Sequence, residues 1–199
     1  MSDYHSLLSS VIFLRVLLDL DWQIARSVQG ARCPVCCGPL HWAPYPRVPR
    51  GLVPAELADS FSRRWSLCCG AEGCRKRTTP PSVCFLGRRQ FIGATFVVLS
   101  MLRHGVRPNA ARELRALIPV ESRTLERWRE WWCRQLPASP FWRAASGCFA
   151  PLVIADEMPA GLVERFLGDA AERLKSCLRF LSPITTVSLP LESSLAMVS

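Results

Sequence analysis

Two pairs of cysteines, separated by 32 residues, constrain the fold of this chain more than any other feature. Cys33 and Cys36 have the CxxC spacing and are followed by Gly38, while Cys69 and Cys74 flank the four residues GAEG. Two thiolates two residues apart on a tight turn can both reach one Zn²⁺ ion at about 2.3 Å. The spacing therefore predicts a four-thiolate zinc site formed by both pairs.

The segment that carries these cysteines has little capacity to fold without a metal. From Ala31 to Pro81 the helical periodicity disappears, prolines and glycines recur, and only short strands around residues 40–45 and 64–68 are predicted. Such a segment cannot build a large apolar core of its own. We therefore expect the metal to contribute much of its folding free energy.

Cys68 and Cys69 are neighbours, so in a strand their side chains point to opposite faces and only one can be a ligand. We predict Cys69, with Cys68 as the alternative if the loop is one residue longer. Ordinary buried thiols or a redox pair are the alternatives to zinc, although a thiol oxidoreductase would need a βαβ context that the sequence lacks. The remaining cysteines are predicted to be a spectator (Cys37) or core residues (Cys84, Cys133, Cys148 and Cys177).

Positive charge is confined to the middle of the chain. The 199 residues carry a net charge of +9, and only two of the 25 basic residues are lysines. Counted along the sequence, residues 1–25, 26–90, 91–136 and 137–199 carry net charges of −2, +8, +4 and −1. A basic block of this kind, made of guanidinium groups that suit phosphate contacts, indicates a nucleic-acid partner. A solvated basic surface without a ligand is the alternative.

Five cations of this block lie beside or soon after the second cysteine pair. Arg75, Lys76 and Arg77 follow Cys74 directly, and Arg88 and Arg89 come later in the same block. A loop fixed by a metal would hold these side chains in a defined place, which suits contacts to phosphates better than the reading of bases. We predict that all five contact DNA.

Helical patterns occupy the two ends of the chain. Residues 5–28 are apolar around most of the helix circumference, so this helix must pack on the rest of the chain or on a second copy. From Phe91 onward three helices with tight turns are predicted, and the second and third of them, PNAARELRALIP and SRTLERWREWWCRQL, match a helix-turn-helix. One more helix is predicted near residues 161–180, before a tail without regular structure.

The third of these helices has two distinct faces. Leu125, Trp128, Trp132 and Leu136 share one face, and Ser122 is the predicted N-cap. The opposite face carries three basic side chains, Arg123, Arg127 and Arg134. This pattern is typical of a recognition helix that enters a DNA groove. Because Glu126 and Glu130 lie beside the arginines, an ordinary surface helix is the alternative.

Taken in order, CPVC, CGAEGC and the helical segment FIGATFVVLSMLRHGVRPNAARELRALIPVESRTLERWREWW resemble the N-terminal region of insertion-sequence transposases. In that family a zinc ribbon and a helix-turn-helix bind the terminal DNA of the element ahead of a catalytic ribonuclease-H-like domain. The resemblance covers roughly residues 31–136. It implies that Cys33, Cys36, Cys69 and Cys74 are ligands and that Arg123 and Arg127 contact DNA. The chain departs from the family in having only 63 residues after Leu136, which is too few for that catalytic domain.

The predicted fold is thus mainly α with a small β zinc ribbon, followed by a helix-turn-helix. The predicted segments are an N-terminal helix (1–30), a zinc-ribbon-like basic segment (31–90), a helix-turn-helix (91–136) and a C-terminal helical region (137–199). The predicted protein binds Zn²⁺ and duplex DNA and is associated with a transposon or insertion element. Its further predicted partners are a recombinase or transposase of the same element and a second copy, bound through the N-terminal helix.

No catalytic function is predicted. The chain has three histidines, and HExxH, GxSxG and phosphate-cradling glycine loops are absent from its sequence. The alternatives to DNA binding are a zinc-stabilised module that binds RNA or an acidic protein and, third, a thiol redox enzyme. Because the sequence shows no secretory signal and no membrane-spanning run, we expect a bacterial cytoplasmic, nucleoid-associated protein.

Overall fold

The computed structural model describes residues 4–86, 91–101, 118 and 120–186. Within these ranges the chain is about half helical, with a small antiparallel sheet inserted between the N-terminal helix and the later helices. The predicted mainly helical fold with a small sheet is confirmed at this level.

The N-terminal helical region consists of two helices, α1 (Tyr4–Leu7) and α2 (Val11–Gly30). The sequence predicted one helix over residues 5–28. The chain instead breaks before Ser10, whose side chain accepts a hydrogen bond from the Phe13 amide at 3.3 Å and caps α2. Helix α2 packs on the rest of the chain, which is one of the two predicted alternatives. Five of its apolar residues are buried, and four more pack partly buried against the large core: Phe13, Leu14, Leu17, Ala25 and Val28, and Val11, Leu18, Leu20 and Ile24.

Five short strands follow α2 in the described part of the chain. Strand β4 pairs with β1 and β5 on its two sides, and the register places Leu40 opposite Cys69 and Cys68 opposite Arg77. A separate two-stranded ribbon pairs β2 with β3. The strands are β1 (Leu40–Trp42), β2 (Tyr45–Pro46), β3 (Arg63–Arg64), β4 (Leu67–Cys69) and β5 (Arg77–Thr78). A 3₁₀ turn (Ala55–Leu57) and helix α3 (Ala58–Phe61) connect β2 to β3.

Pro44, just before β2, and Pro46, within it, lie where they cost no ladder hydrogen bond. Ala43 and Arg47 donate their amides to Ser66 and Ser62 at 2.8 and 2.6 Å. The backbone nitrogens of Pro44 and Pro46 therefore face the unpaired edge, where a missing N–H is harmless and blocks pairing with another strand.

The remaining helices of the described ranges all follow the strands. They are α4 (Gly93–Met101), α5 (Ser122–Glu130) with a π-helical continuation (Trp131–Gln135), α6 (Pro140–Ala145), α7 (Ala160–Val163) and α8 (Ala170–Leu181). Short 3₁₀ turns cover Ser146–Cys148, Ala155–Glu157 and Ser182–Thr185.

Two details of these helices differ from the sequence prediction. Ser122 is the first helical residue of α5 and not its cap, because the cap position is taken by Glu121 without a side-chain bond. The single helix predicted over residues 161–180 is divided into α7 and α8. Between them Gly168 has φ of +100°, and Asp169 caps α8 by accepting the Glu172 amide at 2.9 Å.

The described residues contain two hydrophobic cores. The large core joins α2, α4, α5 and the C-terminal helices, and its centre includes Phe96 stacked on the fully buried Trp132 at a ring distance of 5.3 Å. The small core lies under the three-stranded sheet and consists of Val28, Cys33, Leu40, Leu67 and Cys69. Five residues bury too little apolar surface to stabilise this region alone, which agrees with the prediction that it needs a further constraint.

The first helix of the predicted helix-turn-helix, residues 108–119, lies outside the described residues except for the buried Ile118. The helix-turn-helix is therefore still a prediction. The predicted unstructured tail, residues 188–199, also lies outside them.

Candidate metal centre and basic surface

The fold brings four cysteine side chains together at one end of the small sheet. The sulfurs of Cys33, Cys36, Cys69 and Cys74 all lie within 4.8 Å of one another. Cys36 Sγ is 3.4 Å from Cys69 Sγ, and Cys33 Sγ is 3.8 Å from Cys74 Sγ. These are the four cysteines that the spacing selected, and together they could hold a metal ion.

The spacing of the sulfurs fits a tetrahedral ion. Four sulfurs at about 2.3 Å from a central Zn²⁺ would be about 3.8 Å from one another, which lies within the observed range. An all-thiolate donor set of this geometry is typical of zinc and of iron–sulfur sites.

Each of the four thiols accepts a hydrogen bond from the backbone amide two residues further along the chain. The bond is present in the CxxC turn and in the GAEG loop alike, so the two turns present their sulfurs in the same way. The donors are Val35 for Cys33, Gly38 for Cys36, Ala71 for Cys69 and Lys76 for Cys74. Amide donors stabilise thiolates, which are the form that binds a metal.

The net effect on the pKa differs among the four thiols. Hydrogen bonds from the Val35 and Cys36 amides lower the pKa of the Cys33 thiol to about 7. Amides also lower the pKa values of the other three thiols, but burial and neighbouring thiols outweigh them and leave those values raised. Of the four thiols, Cys33 is the one whose pKa is lowered.

The two turns are related in backbone conformation as well. Cys37, after Cys36, has φ of +57°, and Arg75, after Cys74, has φ of +45°. Both residues occupy the left-handed region, which strains any residue other than glycine. In each turn this conformation lets the next residue donate its amide back to the sulfur. The CxxC half was recognisable from sequence, whereas the matching backbone of the CxxxxC half was not.

Gly38 gives the four sulfurs room to approach. A Cβ added at this position would lie 2.8 Å from Ala71 Cβ, 3.0 Å from Cys69 Sγ and 3.3 Å from Cys36 Sγ. A side chain at position 38 would therefore push into the cluster itself. The sequence places this glycine beside the CxxC pair, and the structure gives the physical reason.

Cys68 lies on the opposite face of the sheet from the cluster. Because cross-strand neighbours share a face, His41, Cys68 and Arg77 form one row across β1, β4 and β5. The structure thus brings Cys69, and not Cys68, to the other three thiols. Cys37 is exposed and also lies outside the cluster.

The prediction that the isolated cysteines are core residues is confirmed in part. Cys84 and Cys177 are buried, Cys133 is half-buried and Cys148 is exposed. The core prediction is therefore wrong for Cys148, which lies in a short 3₁₀ turn.

Three of the predicted DNA-contacting cations lie next to the cluster. Arg75, Lys76 and Arg77 are all exposed, and the Lys76 carbonyl accepts the Cys69 amide at 2.9 Å. The backbone that carries these cations is therefore tied to the cysteine turns. Arg88 and Arg89 lie outside the described residues.

Helix α5 has the two faces that the sequence predicted. Leu125, Trp128, Trp132 and Leu136 are buried in the large core. The three arginines of the opposite face are exposed: Arg123, Arg127 and Arg134. Arg134 pairs with Glu130 at 3.4 Å, and Arg127 donates to the Thr124 hydroxyl at 3.2 Å.

His41 was not singled out by sequence reasoning. Its ring covers Gly70, where an added Cβ would lie 2.4 Å from Nε2, so the histidine is held close to the backbone beside Cys69. It is exposed and completes the row with Arg77. Only strand register could have revealed this position, and register is not readable from strands of two or three residues.

Comparison with known proteins adds no relative. The chain matches no protein-family model, no curated protein sequence and no solved structure. The four-cysteine cluster is thus the feature that defines the class of site. Among the described residues, no helix is both long and apolar enough to cross a membrane.

Proposed function

We propose that this chain is a zinc-binding protein that contacts duplex DNA through the basic surface beside its four-cysteine cluster. In this proposal it is a DNA-binding component or companion of a mobile-element recombinase and has no strand-transfer chemistry of its own. Cys33, Cys36, Cys69 and Cys74 would hold the ion, which cross-links two turns that are far apart in sequence.

One observation carries the proposal. The exposed cations Arg75, Lys76 and Arg77 follow a cluster cysteine directly, and the Lys76 amide donates to Cys74 Sγ. Any ion that fixes Cys74 therefore also fixes the backbone of three adjacent cations. Positioned guanidinium and ammonium groups suit contacts to successive phosphates of nucleic acid.

The exposed face of the sheet extends this surface. His41 lies in the same cross-strand row as Arg77, so it adds one further donor beside the loop cations. Helix α5 presents Arg123 and Arg127 as further candidate contacts, supported by the exposure of both side chains. A homodimer through α2 is still a prediction; Ile12, 79% exposed, is one apolar residue of that helix left uncovered.

The first test is the metal content of protein purified without added metal, followed by chelator treatment monitored by circular dichroism. We expect one zinc per chain and loss of folded structure in the cysteine-containing segment when it is removed. Cys36→Ser should lose the zinc, whereas Cys37→Ser, at the neighbouring exposed thiol, should keep it. Unchanged zinc content in Cys36→Ser would contradict the proposed ligand set.

The second test is duplex binding, measured by fluorescence anisotropy over a series of salt concentrations. Replacing Arg75, Lys76 and Arg77 by alanine should weaken binding and reduce the salt slope by about 0.9 for each phosphate that is no longer neutralised. The matched control removes three cations from other parts of the chain: Arg15, Arg143 and Lys175. If the loop cations serve only to balance the thiolate charge, the triple variant will bind zinc less tightly and DNA as before.

A competition experiment determines which class of ligand the chain prefers. Duplex DNA, single-stranded DNA, double-stranded RNA and an acidic peptide should be compared at one salt concentration, because phosphate contacts alone do not separate them. A preference for duplex DNA supports the proposal. A preference for RNA or for the peptide would favour the corresponding interaction module instead.

A further inference from the structure

Three tryptophan side chains meet at the end of the small sheet that lies away from the cysteine cluster. Trp22 belongs to α2, Trp42 is the last residue of β1, and Trp65 lies between β3 and β4. The ring centroids are 4.9 Å apart for Trp22 and Trp42, 4.7 Å for Trp22 and Trp65, and 5.5 Å for Trp42 and Trp65. These side chains form a tryptophan triad that joins three elements of the fold.

Contacts deeper in the molecule fix the elements that carry the triad. Asp21 and Arg64, the chain neighbours of Trp22 and Trp65, are both buried and form an ion pair. Gln29 Nε2 on α2 donates to a backbone carbonyl of β1 at 3.5 Å and so holds the helix along this strand. The rings are therefore already assembled before a ligand arrives, which lowers the entropic cost of binding.

The triad is open to solvent. Trp22 is 37% exposed, and Trp42 and Trp65 are half-buried. Three adjacent indoles that are only partly covered form a contiguous apolar patch, which is typical of a binding surface and not of isolated surface residues.

Helix α2 places a cation beside this patch. Arg26 lies one turn after Trp22, at the spacing that makes two helical side chains neighbours. Arg26 is exposed, and it forms no ion pair with a described residue. The carboxylate at helical spacing from Trp22 is Asp19, one turn before it.

Strand β3 supplies a second cation. Arg63 precedes Trp65 by two residues, and because the buried Arg64 between them points inward, both neighbours point to the other face. Arg63 is exposed and, like Arg26, is not ion-paired to any residue that the structure describes. Two cations and one carboxylate thus leave the surroundings of the triad positive.

Aromatic rings beside cations suit a ligand that combines flat rings with negative charge. Positive surroundings disfavour a cationic ligand such as a quaternary ammonium, and a purely apolar partner would leave both arginines uncompensated. Nucleic-acid bases offer their faces to a protein only where they are unpaired and unstacked. We propose that the triad binds an unpaired strand of nucleic acid, with its bases stacked on the exposed indoles and its phosphates contacting Arg26 and Arg63.

This inference goes beyond the proposed function and does not depend on it. The proposed duplex contacts of Arg75, Lys76 and Arg77 involve no residue of the triad and neither of its two arginines. A failure of duplex binding therefore leaves the strand site untouched, and the reverse also holds.

The test compares two labelled strands of about 10 nucleotides, a length within the usual range of single-strand sites. One is oligothymidylate, and the other has the same backbone without bases. Both are titrated with the zinc-loaded full chain by fluorescence anisotropy. Because the phosphates are identical, the difference in affinity measures stacking alone. We expect oligothymidylate to bind at least tenfold more tightly, and equal affinities would overturn the proposal.

Variants assign the two parts of the site. Trp22→Ala should lower the affinity for oligothymidylate at least tenfold and leave the base-free strand unaffected, whereas Trp22→Phe should keep part of the difference. Ile12→Ala, at an exposed apolar position of the same helix, is the matched control. Arg26→Ala should weaken both strands alike and reduce the salt slope by about 0.7 for each phosphate no longer neutralised, with Arg15→Ala as its control. A Trp22→Ala variant with the stacking preference of the wild type would refute the assignment.

A measurement on the unaltered chain locates the site without relying on the folding of a variant. Oligothymidylate that carries 5-iododeoxyuridine is crosslinked to the protein by light, and the attachment sites are mapped by mass spectrometry. We expect crosslinks at Trp22, Trp42 or Trp65, and crosslinks confined to other residues would overturn the proposal. Oligouridylate and oligodeoxyuridylate of equal length then distinguish RNA from DNA as the source of the strand.

Discussion

Arg64 on β3 and Asp21 on α2 form a buried ion pair, with Arg64 Nη1 3.7 Å from Asp21 Oδ2. Asp21 also accepts hydrogen bonds from the Ser82 hydroxyl and the Val83 amide at 2.8 and 2.6 Å, and Arg64 Nη2 donates to the Pro80 carbonyl at 2.5 Å. The pair thus ties α2 to the ribbon and to residues 80–83.

We expect Asp21→Asn to lower the free energy of unfolding by about 3–5 kcal/mol, because it leaves Arg64 as an unpaired buried charge. The amide keeps one acceptor, which can serve Val83 at the Oδ1 position, but its new donor would then face the Arg64 guanidinium at the Oδ2 position. Urea unfolding monitored by circular dichroism measures the change. Asp19→Asn, at an exposed position of the same helix, is the control and should stay within about 0.5 kcal/mol of the wild type.

If Asp21→Asn lowers the free energy of unfolding no more than Asp19→Asn does, the ion pair contributes little to stability. The double replacement Asp21→Asn with Arg64→Met should recover part of the stability, since it removes the orphaned charge as well. A double variant that is no more stable than Asp21→Asn would contradict this account.

Gly38→Ala should weaken zinc binding without removing any ligand. The added methyl carbon would lie 3.0 Å from Cys69 Sγ and 2.8 Å from Ala71 Cβ, so the two turns must separate. We expect a loss of at least tenfold in affinity, measured by competition with a chromophoric chelator. Gly147→Ala is the matched control, because a Cβ there has no neighbour within 4 Å. An unchanged affinity in Gly38→Ala would mean that the cluster does not hold the metal in this geometry.

Arg75→Gly separates the role of the side chain from that of the backbone. Arg75 has φ of +45°, and glycine adopts this conformation without strain, so the variant should be stabilised by up to about 1 kcal/mol. The same change removes a cation of the proposed DNA surface and should weaken duplex binding by several-fold. Thermal melting and anisotropy titration measure the two effects. If the variant binds duplex DNA as tightly as the wild type does, Arg75 is not part of the DNA-contacting surface.

Thiol reactivity should divide the cysteines into three groups. Burial raises the pKa of Cys84 well above its ordinary value and also raises that of Cys177, so both should stay unreactive until the chain unfolds. The exposed Cys37 and Cys148 should react at once with a chromogenic disulfide. The exposed Cys36 should react only after a chelator is added. Rapid reaction of Cys36 in zinc-loaded protein would contradict its role as a ligand.

The cysteine quartet could be predicted because thiol spacing follows from local geometry. A CxxC turn places two sulfurs on one side whatever the remainder of the chain does, and strand alternation separates Cys69 from Cys68. The apolar face of α5 could be predicted for the same reason, because Leu125, Trp128 and Trp132 recur with the helical period. Both features appear in the structure as the sequence indicated.

Features that depend on distant partners could not be read in the same way. Asp21 lies in an apolar helix and was not recognisable as buried, because its partners Arg64 and Ser82 are more than 40 residues away. The division of α7 from α8 was missed since a single glycine, Gly168, carries the turn. The pairing of β2 with β3 could not be predicted because two-residue strands show no periodicity.

Arg127→Ala tests whether α5 is a recognition helix. Arg127 is exposed opposite the buried Trp128 and donates a surface hydrogen bond to Thr124 at 3.2 Å, so its removal should leave the melting temperature unchanged within error. If the helix enters a groove, duplex affinity should fall by about 1–3 kcal/mol and discrimination between duplex sequences should relax. Arg143→Ala, on α6, is the matched control. A uniform loss across all duplex sequences would instead make Arg127 a phosphate contact, and no loss at all would make α5 an ordinary surface helix whose arginines only keep the chain soluble.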